Sequence, residues 1–288
     1  MTSQDTAGRH DEAWHLAHHF ATPQQQFESG KLGLWLFLTT EILLFSGLFC
    51  AYAVYRANHP EIFAYAHLYL SKNLGALNTV VLIFSSFTMA AGVRAAQLGN
   101  TRWLVRLLAV TLACGFLFLG VKFVEYKAKW EEGLLTGRAY RPEAPPHGAV
   151  VPEAGEKSKT AAAEGKPAAE PAAVAGFKPE KSTIAPAAVG RRGLSEKWLQ
   201  GKAAHPDGDW VGPEPDNVQL FFGIYFAMTG LHGVHVIGGM AAIGWVLARA
   251  RRGEFGPKYF SPVDFTGLYW HLVDLVWIFL FPLLYLIH

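Results

Sequence analysis

Apolar residues are gathered into five long runs along the chain, at 32–55, 74–96, about 103–126, 218–248 and about 265–287. Short polar breaks separate them, with one exception: the stretch 127–216 between the third and fourth runs is long and polar. About 20 apolar residues in a helix cross a bilayer, so each run predicts one transmembrane helix. The fourth is long enough to tilt or to emerge from the membrane. The pattern therefore predicts an all-α integral membrane protein, a bundle of five transmembrane helices with one long, partly disordered, outward-facing insertion. Its parts are an N-terminal tail (1–30), three helices (31–126), the insertion (127–216) and two further helices (217–288). No internal repeat is visible.

Within the insertion, 150–190 is almost entirely Ala, Pro, Lys, Glu and Gly. Such a segment buries too little apolar surface to offset its ordering entropy, and its middle is expected to be disordered or loosely laid on a neighbour. The flanks carry Trp130, Trp198 and Trp210 and are expected to dock as short helices.

Composition agrees with the pattern. Of the 288 residues, 51% are hydrophobic and only 17% charged, against about 25% charged in soluble domains. A net charge of +2 gives no field for nucleic acid. The two cysteines, Cys50 and Cys114, lie inside apolar runs; they read as small buried hydrophobes, which excludes a disulfide scaffold. The tail has no basic-then-apolar secretory signal. Short-loop Lys and Arg set orientation. Arg94, Arg102 and Arg106 follow the second run, and Arg249, Arg251, Arg252 and Lys258 follow the fourth. The N-terminus and these two loops are expected to be cytoplasmic, with the insertion and C-terminus on the far side, periplasmic in a bacterium.

Ionisable residues inside a membrane are costly and usually have a reason to be there. Here they are Glu41 in the first run, Lys122 and Glu125 in the third, His232 and His235 in the fourth, and His271 and Asp274 in the fifth. At ~1.5 Å per residue, Glu41, His271 and Asp274 stand ~14–18 Å from the cytoplasmic side, with His232 and His235 ~20–27 Å up a tilted span. The arithmetic predicts one polar layer near mid-membrane. His232/His235 and His271/Asp274 are each three residues apart and share a helix face. Lys122 and Glu125, with the same spacing, are expected to pair or to snorkel.

Three chemistries suit such a layer. His and Glu from several helices can bind a metal, but paired Glu-x-x-His motifs are missing. An ion-coupled transporter would use Glu41 as proton acceptor, but such transporters show repeats or broken helices. The third is structural, a buried carboxylate bonded to imidazole and pinning helix to helix. Gly223, Ala227 and Gly230 form a ridge of small residues, with Gly233, Gly238 and Gly239 beyond, suited to close helix packing. His15, His18 and His19 in the tail read as a solvated or interfacial segment rather than a metal cluster.

Four stretches resemble a known family. They are GKLGLWLFLTTEILLFSGLFCAYAVYR around Glu41, LNTVVLIFSS beginning at Leu77, DNVQLFFGIYFAMTGLHGVHVIGG, and YWHLVDLVWIFLFPLLYLI. The T-G-x-H-G-x-H-V run at Thr229 to Val236 and the Y-W-H-x-V-D-x-V-W run at Tyr269 to Trp277 are the most specific. Together with Glu125 in KFVEYKAKW, these touch all five spans. The chain thereby resembles subunit III of haem-copper respiratory oxidases, most closely cytochrome c oxidase, in its five-helix form. The insertion departs from that pattern.

The resemblance implies a non-catalytic subunit with no redox centre of its own, the haems and copper being held in partner subunits. It implies packing on subunit I, contact with subunit II and further subunits, support of proton uptake and complex stability, bound phospholipid, and cytochrome c as donor to a proton-pumping complex of aerobic respiration. A quinol oxidase subunit III is the near alternative; a stand-alone transporter and a membrane metalloenzyme are the distant ones. Residue by residue, the resemblance makes Glu41 the family's membrane carboxylate. It makes His232 and His235 hydrogen-bond partners around that carboxylate, and Arg249 a lipid-phosphate ligand through a guanidinium suited to bidentate phosphate contact.

Overall fold

The computed structural model describes residues 17–134 and 217–286. Five helices in it are long and apolar enough to cross a membrane, one for each predicted run. They are α1 (Pro23–Asn58), α3 (Lys72–Gln97), α4 (Thr101–Glu131), α5 (Gln219–Arg251) and α6 (Ser261–Tyr285). A short α2 (Pro60–Ala66) and a 3₁₀ turn (His67–Tyr69) join α1 to α3. The middle of the insertion, Trp198, Trp210 and His15 lie outside the described residues. α4 continues through Trp130, which is exposed near its end.

Helix limits follow local chemistry. α1 begins nine residues before its apolar run: Thr22 accepts a hydrogen bond from the Gln25 N–H, and Pro23 follows at the first helical position. Both are N-terminal signals. Asn100 caps α4 through the Trp103 N–H. Between α3 and α4, Gly99 has a φ of 73° and lies against Pro257 of the α5–α6 loop. That contact places Arg94, Arg102, Arg106, Arg249, Arg251 and Arg252 at one end of the bundle. A Cβ at Gly99 would meet both the positive φ and the Pro257 ring at 3.2 Å.

The helices α3, α4, α5 and α6 form a ring in which each packs on the next and α6 closes back on α3. Buried positions on α4 are Leu104, Leu108, Thr111, Gly115, Phe118, Lys122, Glu125 and Lys129. This alternating spacing of three and four is the signature of a packed helical seam. The other three helices repeat it, and the centre holds Leu82, Met89, Tyr225, Trp270 and Trp277.

α1 stands outside the ring, against α6 and α5. Its buried residues are Leu38, Phe45 and Tyr52, one every seven, so it meets the bundle along one narrow stripe. Leu32, Leu36, Leu43 and Val54 on its other faces are exposed. Cys50 is exposed there too, which corrects the expectation of a buried thiol; the stripe is too narrow to cover it. α2 caps the far end. Phe63 lies edge-on to Tyr52 and Phe221, and Tyr69 to Phe222. Its seven residues are too few to register as an apolar run.

Candidate functional site

The membrane-embedded polar residues divide into separate sites instead of one layer. The first joins α1 to α5. Glu41 Oε2 lies 2.6 Å from His235 Nε2. His235 Nδ1 lies 2.8 Å from the Leu231 carbonyl, an acceptor only, so Nδ1 carries a proton. Nε2 of a neutral ring is then an acceptor, and Glu41 must supply the proton between them. If the ring is charged, Glu41 is the carboxylate. Either way one proton is shared across this contact and the pair carries no net charge. Tyr269 donates to the His235 carbonyl at 3.2 Å, and the Phe45 ring stands edge-on to the imidazole. Both side chains keep about one-seventh of their surface exposed, 14% and 15%.

His232 is not part of this pair. A three-residue step turns a helix about 60° short of a full revolution, enough to separate α5's core side from its α1 side. His232 faces the core, 1% exposed, between the rings of Phe118 and Trp277. Neither nitrogen has a hydrogen-bond partner among the described residues. The expectation that His232 would bond Glu41 is therefore corrected.

The same offset separates His271 from Asp274. His271 Nδ1 meets Ser86 Oγ at 2.5 Å on the flank of α3. Asp274, buried, accepts from Ser85 at 3.5 Å through Oδ2, while Oδ1 has no hydrogen-bond partner among the described residues. Ser85 also accepts from Trp270 Nε1 at 3.0 Å. One turn nearer the arginine end, Thr88 and Thr111 bond across α3 and α4 at 2.8 Å.

Lys122 and Glu125 pair inside the bundle; neither snorkels. Lys122 Nζ donates to Glu125 Oε2 at 2.9 Å and to Tyr285 at 2.6 Å, and lies 4.6 Å from the Trp277 ring centre. Glu125 Oε1 accepts from Tyr225 at 2.9 Å and from Tyr285 at 2.5 Å. All four residues are buried, and the carboxylate meets three donors from α4, α5 and α6. Alongside, Tyr126 donates to Thr229 at 2.5 Å. The tyrosines were missed because a tyrosine in an apolar run reads as packing. The available signal was Glu125 itself, since a buried carboxylate requires donors.

Arg249, at the end of α5, donates through Nε to Glu254 Oε2 at 2.5 Å. Its guanidinium lies 4.8 Å from the Trp245 ring centre. A lipid phosphate there would share or displace Glu254. In the small-residue ridge, a Cβ on Gly230 would come no nearer than 4.0 Å to Tyr126, whereas one on Gly239 would stand 2.8 Å from Trp270. Close approach therefore falls at Gly239, in the glycines that extend the ridge, and not at Gly230 or Gly233. Among the described residues, no three metal-ligating side chains of His, Cys, Asp or Glu converge.

Residues 216–288, which hold α5, α6, His232, His235, His271 and Asp274, match the family model for cytochrome c oxidase subunit III. A probable cytochrome c oxidase subunit 3 from Nocardia farcinica is 25% identical over 257 residues, covering 89% of this chain and 87% of the relative. The cytochrome c oxidase subunit 3 of Synechocystis is 26% identical, over 88% of this chain and 74% of the relative. The chain is thus similar to subunit III of cytochrome c oxidase along most of its length. A quinol oxidase subunit 3 from Bacillus spizizenii is also similar, 24% identical over 92% of both chains. Five apolar helices and these relatives support an integral membrane protein related to an oxidase subunit. Its Glu41–His235 contact joins the first helix to the part that matches the family model.

Proposed function

We propose that the chain is the non-catalytic third subunit of a proton-pumping cytochrome c oxidase. In this reading it packs on subunit I, holds no haem or copper itself, and supports proton uptake and durability of the complex. The observation that carries the reading is the Glu41–His235 contact, a shared proton held within the membrane at 2.6 Å between α1 and α5. Bound phospholipid, with Arg249 at its phosphate, belongs to the same reading, as does a cytoplasmic arginine end with the far end periplasmic.

Purification of the tagged chain in mild detergent tests this. Equal amounts of haem- and copper-bearing subunits should accompany it, with an oxidase absorption spectrum. A haem-free, partner-free chain would overturn the reading. The similarity to a quinol oxidase subunit 3 keeps a second donor in view. Copper-binding residues in the accompanying subunit II would assign cytochrome c, and their absence quinol.

A further inference from the structure

Three side chains in the centre of the bundle have hydrogen-bonding atoms that no other residue described meets. They are both nitrogens of His232, both amide atoms of Asn78, and Oδ1 of Asp274. The residues are 1%, 0% and 2% exposed. They come from α5, α3 and α6, three members of the same ring of helices.

Their heights agree. Counted from the arginine end of each helix, Asn78, Phe118, His232 and Trp277 all stand about 24–29 Å along, at 1.5 Å per residue. They form one layer with a residue from each helix of the ring. Trp277 ties the layer together: its indole donates to Thr79, the neighbour of Asn78, at 3.1 Å, and its ring centre lies 5.2 Å from that of His232. Asp274 and Ser85 stand just below, about 18–20 Å along, and the Lys122 cluster just above.

A buried polar atom without a partner costs the desolvation of that group in full. Five such atoms in two adjacent layers would be a heavy cost, and in lipid no hydrophobic drive between helices offsets it. Hydrophobic side chains of similar size would fill these seam positions without it. Ordered water meets this need where several polar groups converge, each molecule making two to four hydrogen bonds. His232 offers one donor and one acceptor, Asn78 both kinds, and Asp274 Oδ1 an acceptor.

We propose that the central layer of the α3–α6 ring and the layer below it form a hydration site, in which a chain of several ordered waters runs from His232 and Asn78 to Asp274 Oδ1. The water links two layers of protein-only hydrogen bonds, Ser85–Trp270 below and Lys122–Glu125–Tyr285 above, into one polar column inside the ring. The site is built from this chain alone and does not depend on which donor the oxidase uses.

The test is a density map of the chain with its accompanying subunits, at a resolution that shows ordered water, together with unfolding rates of two His232 variants. The expected map has one peak within hydrogen-bonding distance of a His232 nitrogen and another within reach of Asn78 or Asp274 Oδ1. A layer with no such peak, in which His232 and Asn78 instead bond directly to protein groups, overturns the proposal. His232→Phe should unfold at least tenfold faster than the parent, because it strands the water's remaining partners. His232→Gln, which keeps a donor and an acceptor, should stay within threefold. A His232→Phe variant that unfolds no faster than the parent would mean the layer is dry and would equally overturn it.

Discussion

Replacing Lys122 by methionine removes one member of a buried cluster while keeping its length. Two hydrogen bonds go, to Glu125 at 2.9 Å and Tyr285 at 2.6 Å, with the contact over Trp277. Breaking a buried ion pair on one side costs ~3–5 kcal/mol, because the other charge stays behind unpaired. Here the stranded Glu125 keeps two tyrosine donors, each worth ~1.5–3 kcal/mol to a charged acceptor. The lower end of the range, about 3 kcal/mol, is therefore expected. Glu125→Gln should cost a similar amount by stranding the ammonium. The double variant removes both charges, and its cost should fall at least ~2 kcal/mol short of the sum, as for groups in one network. Unfolding in mixed micelles, followed by fluorescence of the buried Trp270 and Trp277, measures all three. Additive costs, or a Lys122→Met cost below ~0.5 kcal/mol, would refute the view that these charges sit dry and depend on each other.

Glu41→Gln should leave α1 in place, since an amide N–H can donate to His235 Nε2, and oxidase content per purified chain should be unchanged while proton uptake falls. Unaltered turnover and pumping would make the contact purely structural. Gly239→Ala should destabilise by ~1–3 kcal/mol as an overpacking change, since its Cβ would stand 2.8 Å from a Trp270 ring held by Ser85. Gly233→Ala on the same helix, with nothing within 4 Å, should be neutral or stabilising in the same unfolding assay. Glu254→Gln should free the Arg249 guanidinium and raise phospholipid phosphorus retained through detergent washing, and Arg249→Ala should lower it; equal retention in both would remove Arg249 from lipid binding.

The helices were legible because the bilayer imposes length and apolarity on each one separately. α2 was not, because Pro60–Ala66 meets neither demand and is held by Tyr52, Tyr55 and Phe221 from elsewhere. The list of membrane-embedded ionisable residues was legible for the same reason. Their grouping was not. Residues three apart share a face only to within about 60°, and a helix packed between two neighbours can direct that difference to different partners. His232 and His235 are divided in this way, and so are His271 and Asp274, bonded to adjacent serines on α3. Lys122 and Glu125, also three apart, stay together because both lie on α4's buried seam. Which outcome applies depends on where the neighbouring helices stand, and spacing along one helix does not carry that.

The two kinds of polar site differ in what they hold. Between helices in lipid the hydrophobic effect is absent, and association rests on packing and on polar contacts worth ~0.6 kcal/mol on average and up to ~1.7. The ring α3–α6 has packing along four seams and adds the Lys122 cluster at one end. α1 has the buried stripe of Leu38, Phe45 and Tyr52, with part-exposed ring contacts such as Phe27 on Phe265 and Phe37 on Tyr269. Along that stripe its polar ties are Glu41 to His235 and the Tyr52 hydroxyl to the Leu283 carbonyl. A helix so thinly packed depends on these ties for its register, since a seven-residue apolar repeat can slide by one heptad and still present a stripe. Glu41 prevents the slide: a shift of seven residues would carry it about 10 Å from His235 and leave both groups facing lipid. The residue through which the chain is proposed to support proton uptake is thus also the one that sets where α1 stands.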